Sequence, residues 1–242
     1  MKICVAQLKP VKGDIEANII KHITAIEHAV EAGANAIFFS ELSLTGYEPE
    51  LAKDLATTPN DTRLDIFQNL SDKFSMTIGV GLPTQGVSGI HISMICFQPQ
   101  KVRAQYSKQQ LHADELSYFV EGNGQLLLTI GLQVIAPGIC YESLQKNHSD
   151  DAVKLGATIY VASVAKSENG IIKGDAHYPA VAASYSIPVL LSNSIGFSDN
   201  FMSVGKSSVW TKDGKLSARL HADQEGLLIY DTDLEKAMLI DL

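Results

Sequence analysis

The segment from residue 132 to residue 155, LQVIAPGICYESLQKNHSDDAVKL, joins an apolar run to a polar run at Cys140. The apolar run Leu132–Ile139 predicts a buried strand, although Pro137 lacks an N–H and indicates a sheet edge or a bulge. The polar run Glu142–Leu155 is compatible with a helix. Cys140 is therefore predicted at a strand-to-helix junction, where free backbone N–H groups converge and favour a thiolate. A thiolate attacks amides and esters when a base and an oxyanion stabiliser lie nearby.

Working outward, predicted strands and helices alternate along the chain. Strands are predicted at residues 3–8, 36–40, 76–82, 91–97, 126–130, 158–162, 188–191, 207–210, 216–220 and, as the last, 227–230. Further helices are predicted at residues 15–32, 61–74 and 176–186. Alternation of this kind predicts an α/β fold. Hairpin signals such as Lys212-Asp213-Gly214 indicate mixed rather than purely parallel sheets. With no linker, repeat or low-complexity segment, residues 1–242 are predicted to form one domain.

Composition limits the class of protein. The 242-residue chain is 45% hydrophobic, which predicts a packed core, and its formal charge of −8 argues against nucleic acid or an anionic membrane as partner. Cys4, Cys96 and Cys140 are odd in number and far apart, so no disulfide framework and no CxxC zinc pair is predicted. This pattern suits a reducing compartment. The N-terminal apolar run 3–8 is too short for a signal sequence, and we expect a soluble, cytosolic protein.

Two further polar residues follow apolar or strand-like stretches. Glu41 follows the strand that ends at Ser40, and a partly desolvated carboxylate there would have a raised pKa that suits a general base. The Lys108 ammonium could stabilise an oxyanion. Taken singly, each has an ordinary alternative: a solvated loop for Glu41, the surface for Lys108 and the core for Cys140. Because ends of different strands meet at one edge of a sheet, the three together favour a catalytic site.

The segments around these residues resemble the three signatures of the nitrilase superfamily of carbon–nitrogen hydrolases. They are FSELSLTGY at 39–47, YSKQQL at 106–111 and GICYE at 138–142, in the order of that family's Glu–Lys–Cys triad. Glu115, within DELSYF at 114–119, resembles the second glutamate often found near the site. The segments at 156–157, 193–196 and 205–209 also fit, so the resemblance covers nearly the whole chain.

The resemblance implies a four-layer α-β-β-α sandwich, often paired into homodimers through the helix after the cysteine. It implies that Glu41 takes the proton of Cys140, which attacks the amide carbon. Lys108 and the N–H of Tyr141 would hold the oxyanion, and Glu115 would orient Lys108 or position the substrate. Ammonia or an amine would leave before water, activated by Glu41, cleaves the thioester. No metal and no organic cofactor is implied.

Two segments depart from the family pattern. Leu144 and residues 145–147 replace an Arg and a Phe-Pro-Glu run, and residues 181–185 replace an Arg-Ala-x-Glu-Asn segment. The departures concern substrate recognition and dimer packing, and they prevent assignment to a subfamily. The leading hypothesis is a hydrolase that cleaves the C–N bond of a small linear amide or N-carbamoyl compound, with nitrile hydrolysis less expected.

Three alternatives stay open at this level. An acyl-transferring member of the same fold would pass the thioester to an amine. A Cys-His hydrolase would use His148 or His177 as its base. A catalytically silent small-molecule-binding protein would share the scaffold without turnover. His177 and Tyr178 line the pocket or lie on the surface at a helix start.

Overall fold

The computed structural model describes all 242 residues of the chain. Its strands are β1 (Lys2–Gln7), β2 (Ala36–Phe38), β3 (Thr77–Gln85), β4 (Ile90–Phe97), β5 (Ala104–Ser107), β6 (Leu128–Ile130), β7 (Gln133–Ile139), β8 (Ile159–Val164), β9 (Val189–Asn193), β10 (Ile195–Ser198), β11 (Phe201–Val204), β12 (Ser208–Trp210), β13 (Leu216–Arg219), β14 (Gly226–Asp231) and β15 (Lys236–Asp241). Its α-helices are α1 (Ile15–Glu31), α2 (Ala52–Leu55), α3 (Asp65–Phe74), α4 (Lys146–Lys154) and α5 (Glu168–Tyr185). Short 3-10 helices lie at Pro49–Leu51, Thr62–Leu64 and Glu142–Leu144.

Local sequence sets the ends of α1 as predicted. The Asp14 side chain caps the helix by accepting a hydrogen bond from the N–H of Ala17 at 2.9 Å. At the other end, Gly33 has a φ of +75°, a left-handed conformation that glycine adopts without a steric cost.

Two large mixed sheets form the centre of the molecule. The first has seven strands in the order β15-β14-β1-β2-β3-β4-β5, and only the β1–β2 and β2–β3 pairs are parallel. The second has six strands in the order β13-β12-β9-β8-β7-β6, with β7, β8 and β9 parallel. Strands β10 and β11 form a separate hairpin. This arrangement confirms the predicted mixed sheets.

Alternation of side chains along the central strands builds the layers. Ile3 of β1 and Val161 of β8 lie in the core between the two sheets. The neighbouring Cys4 packs on the opposite face with Ile26 of α1, and Tyr160 packs on the side of α5. Helices α1 and α3 cover one sheet and α4 and α5 the other, which confirms the four-layer α-β-β-α sandwich.

Ser163 of β8 connects the facing sheets at the place where the predicted site residues lie. Its hydroxyl donates a 2.6 Å hydrogen bond to the carbonyl of Phe39, two residues before Glu41. Its own carbonyl accepts a 3.0 Å bond from the N–H of Cys140. One buried serine thus holds the Glu41 and Cys140 segments in register.

The helix predicted over residues 142–155 is interrupted. A 3-10 turn at Glu142–Leu144 is followed by extended backbone at Gln145, with φ −95° and ψ 124°, before α4 begins at Lys146. Helix α5 starts at Glu168 rather than at residue 176. Glycines and Pro179 weaken its sequence signal, but burial of Ile171 and Tyr178 against the sheet stabilises the helix.

The prediction that residues 227–230 form the last strand is wrong, because β15 follows β14. β15 is an exposed edge strand, and its short apolar run at residues 237–240, with Met238 and Leu239 facing solvent, is a strand signal that the prediction overlooked. The β10–β11 hairpin was also missed; it contains Gly196 and polar residues.

Pro137 lies in an interior strand, yet its missing N–H removes no sheet bond. The N–H of Cys140 points toward β8, whereas that of Ile139 points away from β8 and reaches Glu142. The backbone nitrogen of Pro137 points in the same direction as the Ile139 N–H, away from β8 and toward the side of β6. Strand β6 pairs only with Gln133–Ile135 and therefore ends before it reaches Pro137. The local sheet edge predicted from proline is therefore present. None of the helices has the length and apolar character needed to cross a membrane.

Candidate active site

Glu41, Lys108 and Cys140 lie at the ends of three strands from both sheets. Glu41 follows β2, Lys108 directly follows β5, and Cys140 directly follows β7. Cys140, Glu115 and Tyr141 line a pocket of about 510 Å³, and the fully buried Lys108 contacts both glutamates. The structure therefore brings together all the residues that the sequence selected.

The Glu41 segment rests against the glycine-rich strand β3. The Phe39 N–H donates to the carbonyl of Gly79 at 3.0 Å, and the Leu44 N–H donates to that of Gly81 at 2.9 Å. The N–H of Gly81 donates to Ser43 Oγ at 3.1 Å. A side chain on Gly81 would collide with the backbone on either side of Glu41, so this glycine permits the close approach.

The Lys108 ammonium joins two buried carboxylates. Its Nζ donates to Glu41 Oε1 at 2.8 Å and to Glu115 Oε1 at 2.6 Å. Burial alone would lower the pKa of Lys108, but the negative charges around it, first that of Glu41, raise the pKa above its ordinary value. Lys108 is thus a fixed cation at the base of the site.

Glu41 combines burial with a free oxygen atom. Burial raises the pKa of its carboxyl group, and the Lys108 charge opposes that shift. The thiol of Cys140 also favours the carboxylate, although its geometry falls short of a regular hydrogen bond and leaves Oε2 without a partner. A carboxylate with a raised pKa and an unoccupied oxygen beside a thiol is suited to accept its proton.

Glu115 is held by groups outside the triad. Its Oε1 accepts a hydrogen bond from Tyr47 OH at 3.0 Å, and its Oε2 accepts one from the N–H of His112 at 2.8 Å. Because Glu115 also accepts from Lys108, it holds the ammonium together with Glu41. This geometry agrees with the predicted orienting role.

Cys140 occupies a strained turn at the mouth of the site. Its φ of +47° lies in the left-handed region, which a non-glycine residue seldom adopts. Burial and the charge of Glu41 raise the pKa of the thiol to about 11, while the nearby Lys166 and Lys108 oppose the rise. The resting group is therefore a thiol that needs a base, rather than a free thiolate.

Tyr141 presents its backbone to the pocket. Its N–H has no acceptor among the protein groups, and its side chain is 37% exposed, packed edge-on against His112 with ring centroids 5.3 Å apart. An unoccupied N–H next to the thiol is geometrically available for an oxyanion.

Glu142 is a buried carboxylate that sequence reasoning quoted but did not select. It accepts hydrogen bonds from the N–H groups of Ile139 at 2.8 Å and Gln109 at 2.6 Å and from Tyr106 OH at 2.6 Å. Burial raises its pKa to about 7. Since Gln109 follows Lys108 and Ile139 precedes Cys140, Glu142 ties the lysine and cysteine loops together.

Lys166 is a second functional candidate that sequence reasoning missed. It lies two residues after β8, lines the pocket and is only 6% exposed. Its main chain is held by the buried Asn193, which accepts from the Lys166 N–H at 2.8 Å and donates to its carbonyl at 3.1 Å. The position after a buried strand, as for Lys108, is the signal that could have identified it.

The two histidines considered as alternative bases lie in different environments. His148 is buried away from the pocket, with its ring nitrogens bonded to Tyr106 OH at 2.6 Å and Tyr160 OH at 2.7 Å. His177 lines the pocket from the middle of α5, and burial lowers its pKa. Tyr178 is fully buried, so the surface alternative at a helix start is wrong for both residues 177 and 178. No hydrogen bond connects either histidine to Cys140, whose Sγ approaches the Ala165 carbonyl at 3.9 Å.

No group of three or more His, Cys, Asp or Glu side chains is arranged to hold a metal ion. The expectation that the protein works without a cofactor remains a prediction.

Comparisons with known proteins agree with this geometry. The family model described as carbon-nitrogen hydrolase matches residues 2–240. A glutamine-dependent NAD(+) synthetase from Thermotoga maritima is 23% identical over 253 residues, covering 100% of this chain and 44% of that protein. A probable nitrilase from Schizosaccharomyces pombe is 22% identical, covering 97% of this chain and 89% of that protein. The chain thus spans less than half the length of the synthetase relative.

Solved structures show the same fold. The NitN amidase from Nesterenkonia sp. AN1 superposes with a TM-score of 0.86 at 22% identity, covering 96% of this chain and 92% of that one. A variant of the Nesterenkonia amidase in complex with butyramide gives a TM-score of 0.85, also at 22% identity, over 100% of this chain and 90% of that one.

Proposed function

The chain belongs to the carbon–nitrogen hydrolase family, and on this premise we propose that it hydrolyses a small amide or N-carbamoyl compound through a thioester on Cys140. The observation that carries the proposal is the arrangement at Lys108. One buried ammonium lies within 2.8 Å of Glu41 and 2.6 Å of Glu115, at the base of a pocket that Cys140 lines.

Acylation begins with transfer of the Cys140 thiol proton to Glu41. The thiol has a pKa of about 11, and the raised pKa of Glu41 makes the carboxylate a better base than an ordinary glutamate. The sulfur then attacks the amide carbon, and the Lys108 ammonium and the Tyr141 N–H stabilise the negative oxygen. The C–N bond breaks as Glu41 returns the proton to the leaving nitrogen.

Deacylation uses the same base in the second half of the reaction. Glu41 takes a proton from water, and the resulting hydroxide attacks the thioester carbon. The C–S bond breaks and the sulfur regains its proton from Glu41, so the free enzyme is restored. Glu115 keeps Lys108 in place through both steps, which explains why its two oxygens are fully engaged with Lys108, Tyr47 and His112.

The pocket supports a small substrate. Its volume of about 510 Å³ and its mixture of apolar and polar walls suit a compact molecule with a few polar groups. The similar proteins point in the same direction, since they include an amidase, a probable nitrilase and glutamine-dependent NAD(+) synthetases.

The decisive experiment is a panel of linear amides and N-carbamoyl compounds with ammonia release as readout. Intact-protein mass spectrometry during turnover should show an acyl adduct on Cys140, and Cys140→Ala should abolish both signals. Glu41→Gln should reduce turnover by about 100-fold or more, as loss of a general base does. Ammonia release with full activity in Cys140→Ala would overturn the proposal.

Two variations test the alternatives. Retained turnover in Glu41→Gln together with inactivity of His177→Ala would favour a Cys-His mechanism. Hydroxylamine added to the panel tests acyl transfer, because a transferase would form the hydroxamate in preference to the acid. If no adduct and no ammonia were detected with any compound of the panel, a catalytically silent binding protein would be favoured.

A further inference from the structure

Lys166 is the buried charged residue of the pocket that has no protein partner. Its side chain is buried, yet its Nζ forms neither a hydrogen bond nor an ion pair. By contrast, Lys108 contacts Glu41 and Glu115. The Nζ atom itself keeps contact with the pocket, so an anion that enters the pocket can supply the partner that the protein does not.

The start of α5 adds donors beside this ammonium. Ser167 is the N-cap residue, but its side chain makes no capping bond, and Asn169 and Gly170 of the first turn line the pocket. The first N–H groups of a helix and its positive dipole end favour a bound anion. The acidic Glu168 in this turn is exposed and paired with Lys206 at 2.6 Å, so its charge is largely neutralised.

The charged groups are distributed unevenly around the pocket. Asp114 and Glu115 belong to the loop after β5 rather than to the Lys166 segment, and both carboxylates have partners: Asp114 accepts from His112 Nδ1 at 2.6 Å, and Glu115 accepts from Lys108. The positive charges without a protein partner, those of Lys166 and the exposed Lys173, therefore belong to the segment of Lys166 and α5. A substrate with one negative group would place that group there and leave its amide toward Cys140.

We propose that the pocket selects amides whose acyl chain carries a carboxylate, and that Lys166, with the first turn of α5, binds this carboxylate. The inference deepens the proposed function and rests on it. Lys166 acts here as a specificity residue, held at its place by Asn193.

A competing role must be separated by the experiment. Lys166 also favours the Cys140 thiolate, so its removal could slow the enzyme by weakening the nucleophile. A residue acting only on the thiol would affect every substrate equally, whereas a carboxylate-binding residue affects only anionic ones.

The kinetic test uses succinamate and its neutral analogue 4-methylpentanamide, in which two methyl groups replace the two carboxylate oxygens. The wild-type protein should favour succinamate in kcat/KM. Lys166→Met should lower kcat/KM for succinamate by about 10- to 100-fold, chiefly through KM, because a charged hydrogen bond is lost. Lys166→Met should lower kcat/KM for 4-methylpentanamide by a factor at least about fivefold smaller than the factor for succinamate, and Lys166→Arg should restore part of the preference.

A second readout works without turnover. Alkylation of Cys140 by iodoacetate and by iodoacetamide compares an anionic reagent with a neutral one of similar size. Lys166→Met should lower the ratio of the two rates by about tenfold. If amides are not hydrolysed but this ratio falls, the proposed function fails while the anion site stands.

Lys173→Met is the matched control, because Lys173 lines the same pocket but is exposed. It should change the alkylation ratio by less than about twofold, since exposed charges are screened. Equal losses for both substrates and both reagents in Lys166→Met, with the wild-type circular dichroism spectrum retained, would overturn the inference. So would an equal effect of Lys173→Met.

Discussion

Replacing Gly81 with alanine tests whether β3 sets the position of Glu41. An alanine Cβ at this position would lie 2.6 Å from the carbonyl oxygen of Ser40 and 2.6 Å from the N–H nitrogen of Leu42. These two backbone atoms bracket Glu41. They cannot rotate away as a side chain would, so Gly81→Ala must push the Glu41 segment away from β3.

The size of the displacement follows from the contact. Ordinary van der Waals contact begins at 3.4 Å, so the two segments must separate by up to about 0.8 Å, against a catalytic tolerance of about 0.5 Å. A misplacement of about 1 Å costs about 100-fold in rate, and we therefore expect kcat/KM to fall by about 10- to 100-fold. The 2.8 Å bond from Lys108 to Glu41 would be strained by the same movement.

Gly79→Ala is the matched control. Gly79 lies two residues away on the same face of β3, but its added Cβ would meet the Phe38 ring at 2.7 Å and Met94 Sδ at 2.9 Å. Both variants should lose about 1–3 kcal/mol of unfolding free energy through overpacking. Urea denaturation gives this loss, and ammonia release from the best amide of the panel gives kcat/KM. If the two folded variants had equal kcat/KM, the idea that β3 positions Glu41 would be wrong.

Three other perturbations test the site and its surroundings. Tyr47→Phe removes the 3.0 Å bond to Glu115 and should lower the unfolding free energy in urea by about 1.5–3 kcal/mol; a change below about 0.5 kcal/mol would contradict a bond to a buried carboxylate. Glu41→Gln removes a charge that raises the pKa of Cys140, so the pH midpoint of iodoacetamide alkylation should move below that of the wild type, and an unchanged midpoint would contradict the coupling. Burial lowers the pKa of His22 to about 3 in the folded protein. Between pH 6.5 and 3 the imidazole is therefore protonated only in the unfolded chain, so the unfolding free energy falls as the pH drops through this range. Between pH 7 and 4.5 the wild type should therefore lose about 2.5 kcal/mol more unfolding free energy than His22→Asn in urea denaturation, and parallel pH profiles would refute this.

The sequence predicted the central strands well because their apolar runs are long and bounded by turn residues. It failed where tertiary contacts decide the structure. The start of α5 at Glu168 depends on burial of Ile171 and Tyr178 against the second sheet, which no local propensity records. The edge strand β15 is a different case, because its apolar run at residues 237–240 is visible in the sequence but was not assigned to a strand.

The candidate site likewise contains residues that the sequence could predict and residues that it could not. Glu41, Lys108 and Cys140 could be found because each follows a strand and lies in a recognisable segment. Lys166 has no such segment, and its importance depends on lacking a partner, a property visible only when all its neighbours are known. Glu142 likewise gains its position from Tyr106 and Gln109, distant in sequence. The predictions of a homodimer, a cytosolic location and a single domain stay predictions.

Ser163 also bears on how the protein loses activity. Because its hydroxyl and its carbonyl bind segments from the two sheets, the distance between base and nucleophile depends on sheet-to-sheet docking and not on either sheet alone. Local opening at this interface would separate Glu41 from Cys140 even with each sheet intact. Partially unfolded forms should consequently be inactive, and activity should report the fraction of fully assembled molecules during refolding.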